Sequence, residues 1–114
     1  MGLSLKGSFT SPPVTQWQIR AWALADGTGT AHIDASNNFS SLNDLGTGNY
    51  RFNFSTNMPD SNYVITGSTG RNATPHFSLQ GNARSASSFD IATGTWGTAF
   101  GAVNNDSIML IVCK

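Results

Sequence analysis

The sequence predicts an all-β chain that folds as an antiparallel β-sandwich, and three observations support this class. Apolar side chains recur at every second position in several short segments, the spacing that places them on one face of a strand. Turns rich in glycine, asparagine and proline separate these segments. No run of ten residues has the periodicity of an amphipathic helix. About seven to nine short strands at this spacing predict a jelly-roll-like sandwich.

The clearest strand is the segment YRFNF, in which Tyr50, Phe52 and Phe54 alternate with polar residues. The turn LGTGN precedes it and NMPDSN follows it, so chain-breaking residues bound the strand on both sides. Burial of each ring stabilises a fold by roughly 2 kcal/mol or more. We therefore expect this strand at the centre of one face of the sandwich, with its three rings in the core.

The remaining elements are predicted from the same alternation. Residues 1–13 contain two glycines and two prolines and are expected to form an arm or connector, which leaves residues 14–114 as a single domain. Asp26 and Gly27 together predict a hairpin turn of type I′. Residues 94–106 predict either a long loop or a ragged strand. The apolar run 107–113 predicts a strand buried on both faces, and a partner chain is one way to bury the second face. The predicted strands are residues 15–24, 28–35, 39–45, 50–54, 62–68, 76–81, 87–93 and 107–113.

The charge of the chain is low and balanced. Only 11% of its 114 residues are charged, and six basic residues cancel six acidic ones. Such a chain lacks the basic stripe that binds phosphates, so no nucleic-acid partner is expected. A net charge near zero does little to keep copies apart, which supports an oligomer. No segment has the roughly 18 apolar residues of a membrane span, so insertion into a membrane is not expected.

The sequence contains no recognisable catalytic arrangement, and we predict neither an enzyme nor a cofactor. Four of the six aspartates lie at turns, which leaves Asp34 and Asp90 within strands, where solvated positions explain them better than a glycosidase pair. His32 and Asp34 are two residues apart on one strand face, as either a hydrogen-bonded surface pair or two metal ligands. No CxxC, HxH or HExxH motif occurs, so no metal site is predicted. Cys113, the single cysteine, cannot form an internal disulfide.

A series of short motifs runs from Arg20 to Ser68. They are AW at 21–22, GTGT at 27–30, N-x-SS at 38–41, GTG at 46–48, Y-x-x-NF at 50–54, MP at 58–59 and NY at 62–63. This pattern resembles a module found near the C-termini of tailed-bacteriophage fibre proteins. The turn departs slightly, with Leu45 where asparagine is common and Asn49 where aspartate is common. The resemblance implies a trimeric virion protein of a fibre or another surface appendage, with other virion proteins as partners.

The resemblance also implies where such a protein would meet its host. In fibres of this kind the variable outer half commonly contacts the host surface, here the unmatched residues 70–106. The predicted function is a tail-fibre tip or host-receptor-binding module that recognises a surface glycan. The alternatives are a capsid or tail decoration protein without a host ligand and, less favoured, a polysaccharide-cleaving enzyme. Because sugars stack on aromatic rings and bond to amide and guanidinium groups, the candidate glycan-binding residues are Arg71, Asn72, His76, Arg84, Trp96 and Phe100.

Trp96 and Phe100 have a second interpretation, in which they cover the end of the sandwich or pack between subunits. Trp17 and Trp22 point to opposite faces of a predicted strand and cannot both lie in one core. One of them is therefore expected to meet another subunit or the N-terminal arm. The predicted subunit-interface residues are Trp22, Ile108, Leu110 and Val112.

Overall fold

The computed structural model describes residues 17–70, 78–96, 100–102, 104 and 107–114. The predicted arm, residues 1–13, lies outside this part of the chain. The described residues form nine strands in two antiparallel sheets and no helix, which confirms the predicted all-β sandwich. Accordingly, they include no helix long and apolar enough to cross a membrane. The strands are β1 (Ile19–Asp26), β2 (His32–Asn37), β3 (Phe39–Gly46), β4 (Asn49–Phe54), β5 (Val64–Gly70), β6 (Ser78–Asn82), β7 (Ser88–Trp96), β8 (Phe100–Ala102) and β9 (Ser107–Cys113).

Each sheet is built around two neighbouring inner strands. Sheet A has the order β2-β1-β9-β5, and sheet B has the order β3-β4-β7-β6, with β8 paired to the end of β7. The hairpins β1-β2, β3-β4, β6-β7 and β7-β8 each stay within one sheet. For residues 94–106 the sequence predicts either a long loop or a ragged strand. The pairing of β7 with β8 shows that residues 94–96 and 100–102 are strands.

The core lies between a layer of aliphatic side chains from sheet A and a layer of aromatic rings from sheet B. Sheet A contributes alternate alanines of β1, which leave room for the large rings of β4 and β7 in sheet B. Phe52 and Phe89 stack with ring centroids 5.6 Å apart, and Phe39 stacks on Phe54 at 5.2 Å. Such ring pairs add about 0.5–1.5 kcal/mol each beyond the area they bury. The placement of Phe52 and Phe54 in the core confirms the predicted inward face of β4.

One end of the core is closed by the loop that follows β4. Met58 and Tyr63 from this loop are buried against the rings of sheet B. The Tyr63 hydroxyl lies 2.8 Å from the Ser85 carbonyl oxygen and 3.0 Å from that of Ser88. Burial raises the pKa of the Tyr63 hydroxyl above its ordinary value. The loop is therefore held to the start of β7 by both packing and hydrogen bonding.

The predicted turn at Asp26 and Gly27 is wrong in detail. The hairpin forms, but β1 extends through Asp26 and β2 begins only at His32, so the connection is longer than two residues. The Asp26 carboxylate accepts hydrogen bonds from the backbone N–H and the hydroxyl of Thr28, at 2.8 and 2.6 Å. These bonds lower the pKa of Asp26 below its ordinary value. Gly29, rather than Gly27, has the left-handed backbone conformation that reverses the chain.

The strand β9 has the predicted bounds but a different environment from the predicted one. It lies between β1 and β5, and its side chains alternate between buried and exposed instead of being buried on both faces. Ile108, Leu110 and Val112, three of the predicted interface residues, are 0%, 2% and 0% exposed. They fill the core between the sheets, so their assignment to a subunit interface is wrong. Met109 and Ile111, which alternate with these residues, point away from the core.

Candidate assembly surface on sheet A

The outer faces of the two sheets differ in chemistry. On sheet B the Arg51 guanidinium forms a two-pronged ion pair with Asp90, with N···O distances of 2.7 and 3.1 Å. Beside it the Asn53 amide donates to the Asn43 side-chain oxygen at 2.7 Å and to the Ser41 hydroxyl at 3.0 Å. This face is a polar ladder of cross-strand pairs, as expected for a sheet that meets water.

The outer face of sheet A is apolar along its two central strands. Trp22 of β1 pairs with Ile111 of β9, and Leu24 of β1 pairs with Met109 of β9. Directly paired residues share one face of an antiparallel sheet, so these four side chains form a contiguous cluster. Their exposed fractions are 42% for Trp22, 37% for Ile111, 39% for Leu24 and 42% for Met109. Large apolar side chains on both faces of a sheet are unusual where one face meets water.

The cluster continues toward the end of the sheet. Cys113 of β9 pairs with Ile19 on one side and with Val64 on the other. Ile19 is 62% exposed and Val64 is 49% exposed, while Cys113 is half-buried between them. The register shift between Ile19 and Ala21 moves Ile19 from the face predicted by simple alternation to the outer face. We call these side chains the sheet A patch, which consists of Ile19, Trp22, Leu24, Val64, Met109, Ile111 and Cys113.

Small and polar residues border the sheet A patch on both sides. On β2, Asn37 lies opposite Trp22 and Ala35 lies opposite Leu24. On β5, Thr66 lies opposite Ile111 and Ser68 lies opposite Met109. An apolar centre with a polar border is the composition of a protein–protein interface.

The patch contains a groove of about 460 Å³. Its walls include Trp22 and Met109, and it lies beside Gly67 and Ser68 of β5. A side chain at Gly67 would collide with the Met109 carbonyl oxygen, because β5 approaches β9 closely at this point. Glycine at this position therefore permits the close pairing of β5 with β9 beside the groove.

Trp22 is the one predicted interface residue that belongs to the patch. Neither Trp17, which is 58% exposed, nor Trp22 lies in the core. Ile19, Leu24, Val64 and Met109 are not among the predicted interface residues, although the sequence contains a signal for Leu24. The core-facing residues of β1 are Ala21, Ala23 and Ala25, and large apolar residues at the intervening positions indicate a second apolar face.

The structure tests little of the predicted glycan site. Arg71, Asn72 and His76 lie outside the described residues. Arg84 is exposed in the loop between β6 and β7. Trp96 and Phe100 are backbone partners in the β7-β8 hairpin, and the structure describes only their backbone. The glycan-binding assignment of these six residues therefore stays a prediction.

The candidate acid–base and metal residues do not converge. Asp34 belongs to β2 of sheet A, whereas Asp90 belongs to β7 of sheet B and is paired with Arg51. The His32 Nε2 atom lies 2.9 Å from an Asp34 carboxylate oxygen, and its Nδ1 atom lies 2.8 Å from the Thr30 carbonyl oxygen. The Thr30 carbonyl, and after it the Asp34 charge, raises the pKa of His32 above its ordinary value. His32 and Asp34 thus form a hydrogen-bonded pair at the surface, and no cluster of three metal-binding side chains is found among the described residues.

Comparisons of the chain with protein-family models, with curated proteins and with solved structures find no match. The structure nevertheless assigns roles to several residues of the motifs between Arg20 and Ser68. Tyr50 contacts Gly27, and Asn38 bridges β1 to the loop after β4. Met58 and Tyr63 close the core. These residues fix how the hairpins join, so the motif residues act in the scaffold.

Proposed function

We propose that this chain is a non-enzymatic structural module of a tailed-bacteriophage virion, at the tip of a tail fibre or of a similar surface appendage. In this role the sandwich is a rigid subunit that joins a larger assembly and presents loops toward the host surface. The proposal places the protein on the virion, with other virion proteins as neighbours and a host surface glycan as the ligand of its loops.

The observation that carries this proposal is the contrast between the two outer faces. The polar ladder on sheet B satisfies its own hydrogen bonds and suits a surface in water. The sheet A patch exposes six large apolar side chains at 37–62% each. Removing apolar surface from water is favourable by roughly 25 cal/mol per Å², so covering this patch lowers the free energy. A module built to be covered on one face and wet on the other fits a subunit of a particle.

The second support is the residue pattern between Arg20 and Ser68, which resembles the phage fibre module. Its residues hold the joint between the two sheets, as the Tyr50–Gly27 and Asn38–Thr56 contacts illustrate. A pattern of this kind specifies a scaffold and leaves the loops free to vary. In attachment modules the scaffold provides the structure and the loops provide the recognition.

The position of the chain on the particle tests the proposal. We would raise antibody fragments against the chain, label particles of the phage or induced prophage that encodes it, and image them by cryo-electron microscopy. Label at the fibre or appendage tip supports the proposal. Label across the capsid lattice would overturn the adhesion role in favour of decoration, and particles without label would overturn the virion assignment altogether.

A separate assay tests the claim that the chain is not an enzyme. Purified host surface polysaccharide would be incubated with the chain, and its length would be followed by size-exclusion chromatography. An unchanged elution profile is expected. Progressive shortening of the polymer, retained after further purification of the chain, would contradict the non-enzymatic role.

A further inference from the structure

We infer that the sheet A patch is closed by a second copy of this chain, with Trp22 of one copy as the central contact. The inference rests on the proposed function in treating this face as an assembly surface. It is tested separately, because the mass of the chain in solution does not depend on where a particle carries it.

The size of the patch fits a subunit contact. Six of its side chains are 37–62% exposed. With full side-chain areas of about 150–250 Å² for the largest of them, they expose on the order of 500 Å² of apolar surface. Together with the bordering residues of β2 and β5, this approaches the roughly 800 Å² that each partner buries in a stable interface.

The charge of the patch favours a copy of the same chain. Neither the patch nor its border residues Asn37, Ala35, Thr66 and Ser68 carry a charge. A charged face placed against itself in a symmetric assembly would bury like charges, whereas a neutral apolar face can meet its own copy without that cost. A glycan is a poor occupant, because the centre of the patch offers no side-chain amide, carboxylate or guanidinium group for its hydroxyls.

The shape of the patch favours the same occupant. Trp22 supplies a large ring, and the groove beside Gly67 and Ser68 supplies a recess in the same face. When two copies meet through this face, the ring of one can enter the recess of the other, as sheets in a sandwich interdigitate about 10 Å apart. Tryptophan at the centre of a desolvated contact typically provides much of the binding free energy.

The main experiment measures the mass of the full chain by light scattering and sedimentation across a wide range of concentration. The wild-type chain is expected to have the mass of two or more copies. The Ile111→Asp variant places a charge in the middle of the patch and is expected to raise the dissociation constant by about 30-fold or more. The matched control is Asn43→Asp, which adds the same charge to the outer face of sheet B and retains the oxygen that accepts from Asn53.

Two further measurements protect the test against a misfolded variant. Ile111→Thr keeps a β-branched side chain in β9 and should weaken association in the same direction while circular dichroism stays unchanged. Alkylation of Cys113, which lies between Ile19 and Val64 at the edge of the patch, should slow as the concentration of wild-type chain rises. The same thiol should react at a concentration-independent rate in Ile111→Asp.

Three outcomes would overturn the inference. A wild-type mass of one copy at every concentration excludes a second copy. A multimer that Ile111→Asp and Ile111→Thr leave intact assigns the contact to another face. If the mass is that of one copy and the Cys113 thiol is protected at every concentration, another segment of the same chain covers the patch.

Discussion

The hydroxyl oxygen of Tyr50 lies 3.0 Å from the carbonyl oxygen of Gly27, within hydrogen-bonding distance. Tyr50 belongs to β4 of sheet B, and Gly27 directly follows β1 of sheet A, so this contact joins the two sheets at one end of the core. The same hydroxyl lies 2.7 Å from the Asn104 side-chain oxygen, which also accepts from the Gly48 N–H. The contact therefore ties together two glycine turns that the sequence places far apart.

Replacing Gly27 by alanine tests this joint. A Cβ atom at position 27 would collide with the Tyr50 hydroxyl and lie 2.5 Å from its Cζ atom, while the ring itself is fully buried. We expect Gly27→Ala to lower the free energy of unfolding by about 1–3 kcal/mol, as overpacking of a core typically does. The matched control is Gly70→Ala, whose added Cβ would lie at an ordinary 3.6 Å from the Ser107 Cβ. Equal urea midpoints for the two variants would contradict the role of the Tyr50–Gly27 contact.

Asn38 provides a second joint and a second prediction. It has a left-handed backbone with φ of 63°, its amide donates to the Thr56 carbonyl at 3.1 Å, and its side-chain oxygen accepts from the Thr56 N–H at 2.7 Å. Asn38→Ala loses these bonds and retains a Cβ atom in the left-handed conformation, which costs roughly 1–2 kcal/mol for residues other than glycine and asparagine. Asn38→Gly loses the bonds alone, so we expect it to be about 1 kcal/mol more stable than Asn38→Ala. Thermal or urea melts in which alanine is the better tolerated residue would refute this explanation.

Phe52 gives the test of the core. Its side chain is fully buried and packs against Phe39 and Phe89, with ring centroids 5.4 and 5.6 Å apart. Phe52→Ala is expected to cost about 3–5 kcal/mol, since it leaves a cavity between the sheets. The neighbouring Arg51 points to the outer face of sheet B, and Arg51→Ala removes an ion pair at the surface, so it is expected to cost far less stability than Phe52→Ala. If urea denaturation gave similar losses for the two variants, the ring layer would not be the centre of the core.

The alternation of side chains was sufficient to predict the strands whose two faces differ in chemistry. In β4, aromatic and polar residues alternate, and its inward face follows from that pattern, as do its bounds to within one residue at the start. In β9 the same rule fails, because the run IMLIVC is apolar at every position. Alternation therefore cannot predict which of its side chains face the core. Its orientation is set by pairing with β1, whose alanines at 21, 23 and 25 require the core side chains of β9 to be Val112, Leu110 and Ile108.

The sheet A patch could be anticipated only in part for a related physical reason. Period-two reasoning assigns Ile19 to the face of Ala21, but a register shift between these two residues turns Ile19 outward, and local sequence gives no sign of it. The hairpin after β1 shows the same limit. Asp26 and Gly27 have the sequence of a tight turn. However, the Asp26 carboxylate accepts hydrogen bonds from the N–H and hydroxyl of Thr28, and the chain reverses later, at Gly29.

The pair formed by His32 and Asp34 predicts a dependence on pH. The Thr30 carbonyl oxygen and the Asp34 carboxylate both favour the protonated imidazole, so the pKa of His32 is raised above its ordinary 6.5 in the folded chain. A group with a raised folded-state pKa contributes stability that is fully present below its unfolded value and is lost as the pH rises through the folded value. We therefore expect His32 to stabilise the chain most on the acid side of pH 6.5, with the contribution lost as the pH rises through its raised pKa.

Titration of the imidazole C–H signals by nuclear magnetic resonance measures this pKa directly. Asp34→Asn should lower the pKa of His32 without returning it fully to the ordinary value, because the bond to the Thr30 carbonyl, the larger cause of the shift, remains. The chain has one other histidine, and the variant His76→Gln assigns its signal. A pKa of His32 at or below 6.5 in the wild-type chain would show that neither contact holds the protonated ring. A pKa unchanged by Asp34→Asn would show that the 2.9 Å contact with the carboxylate contributes nothing in solution.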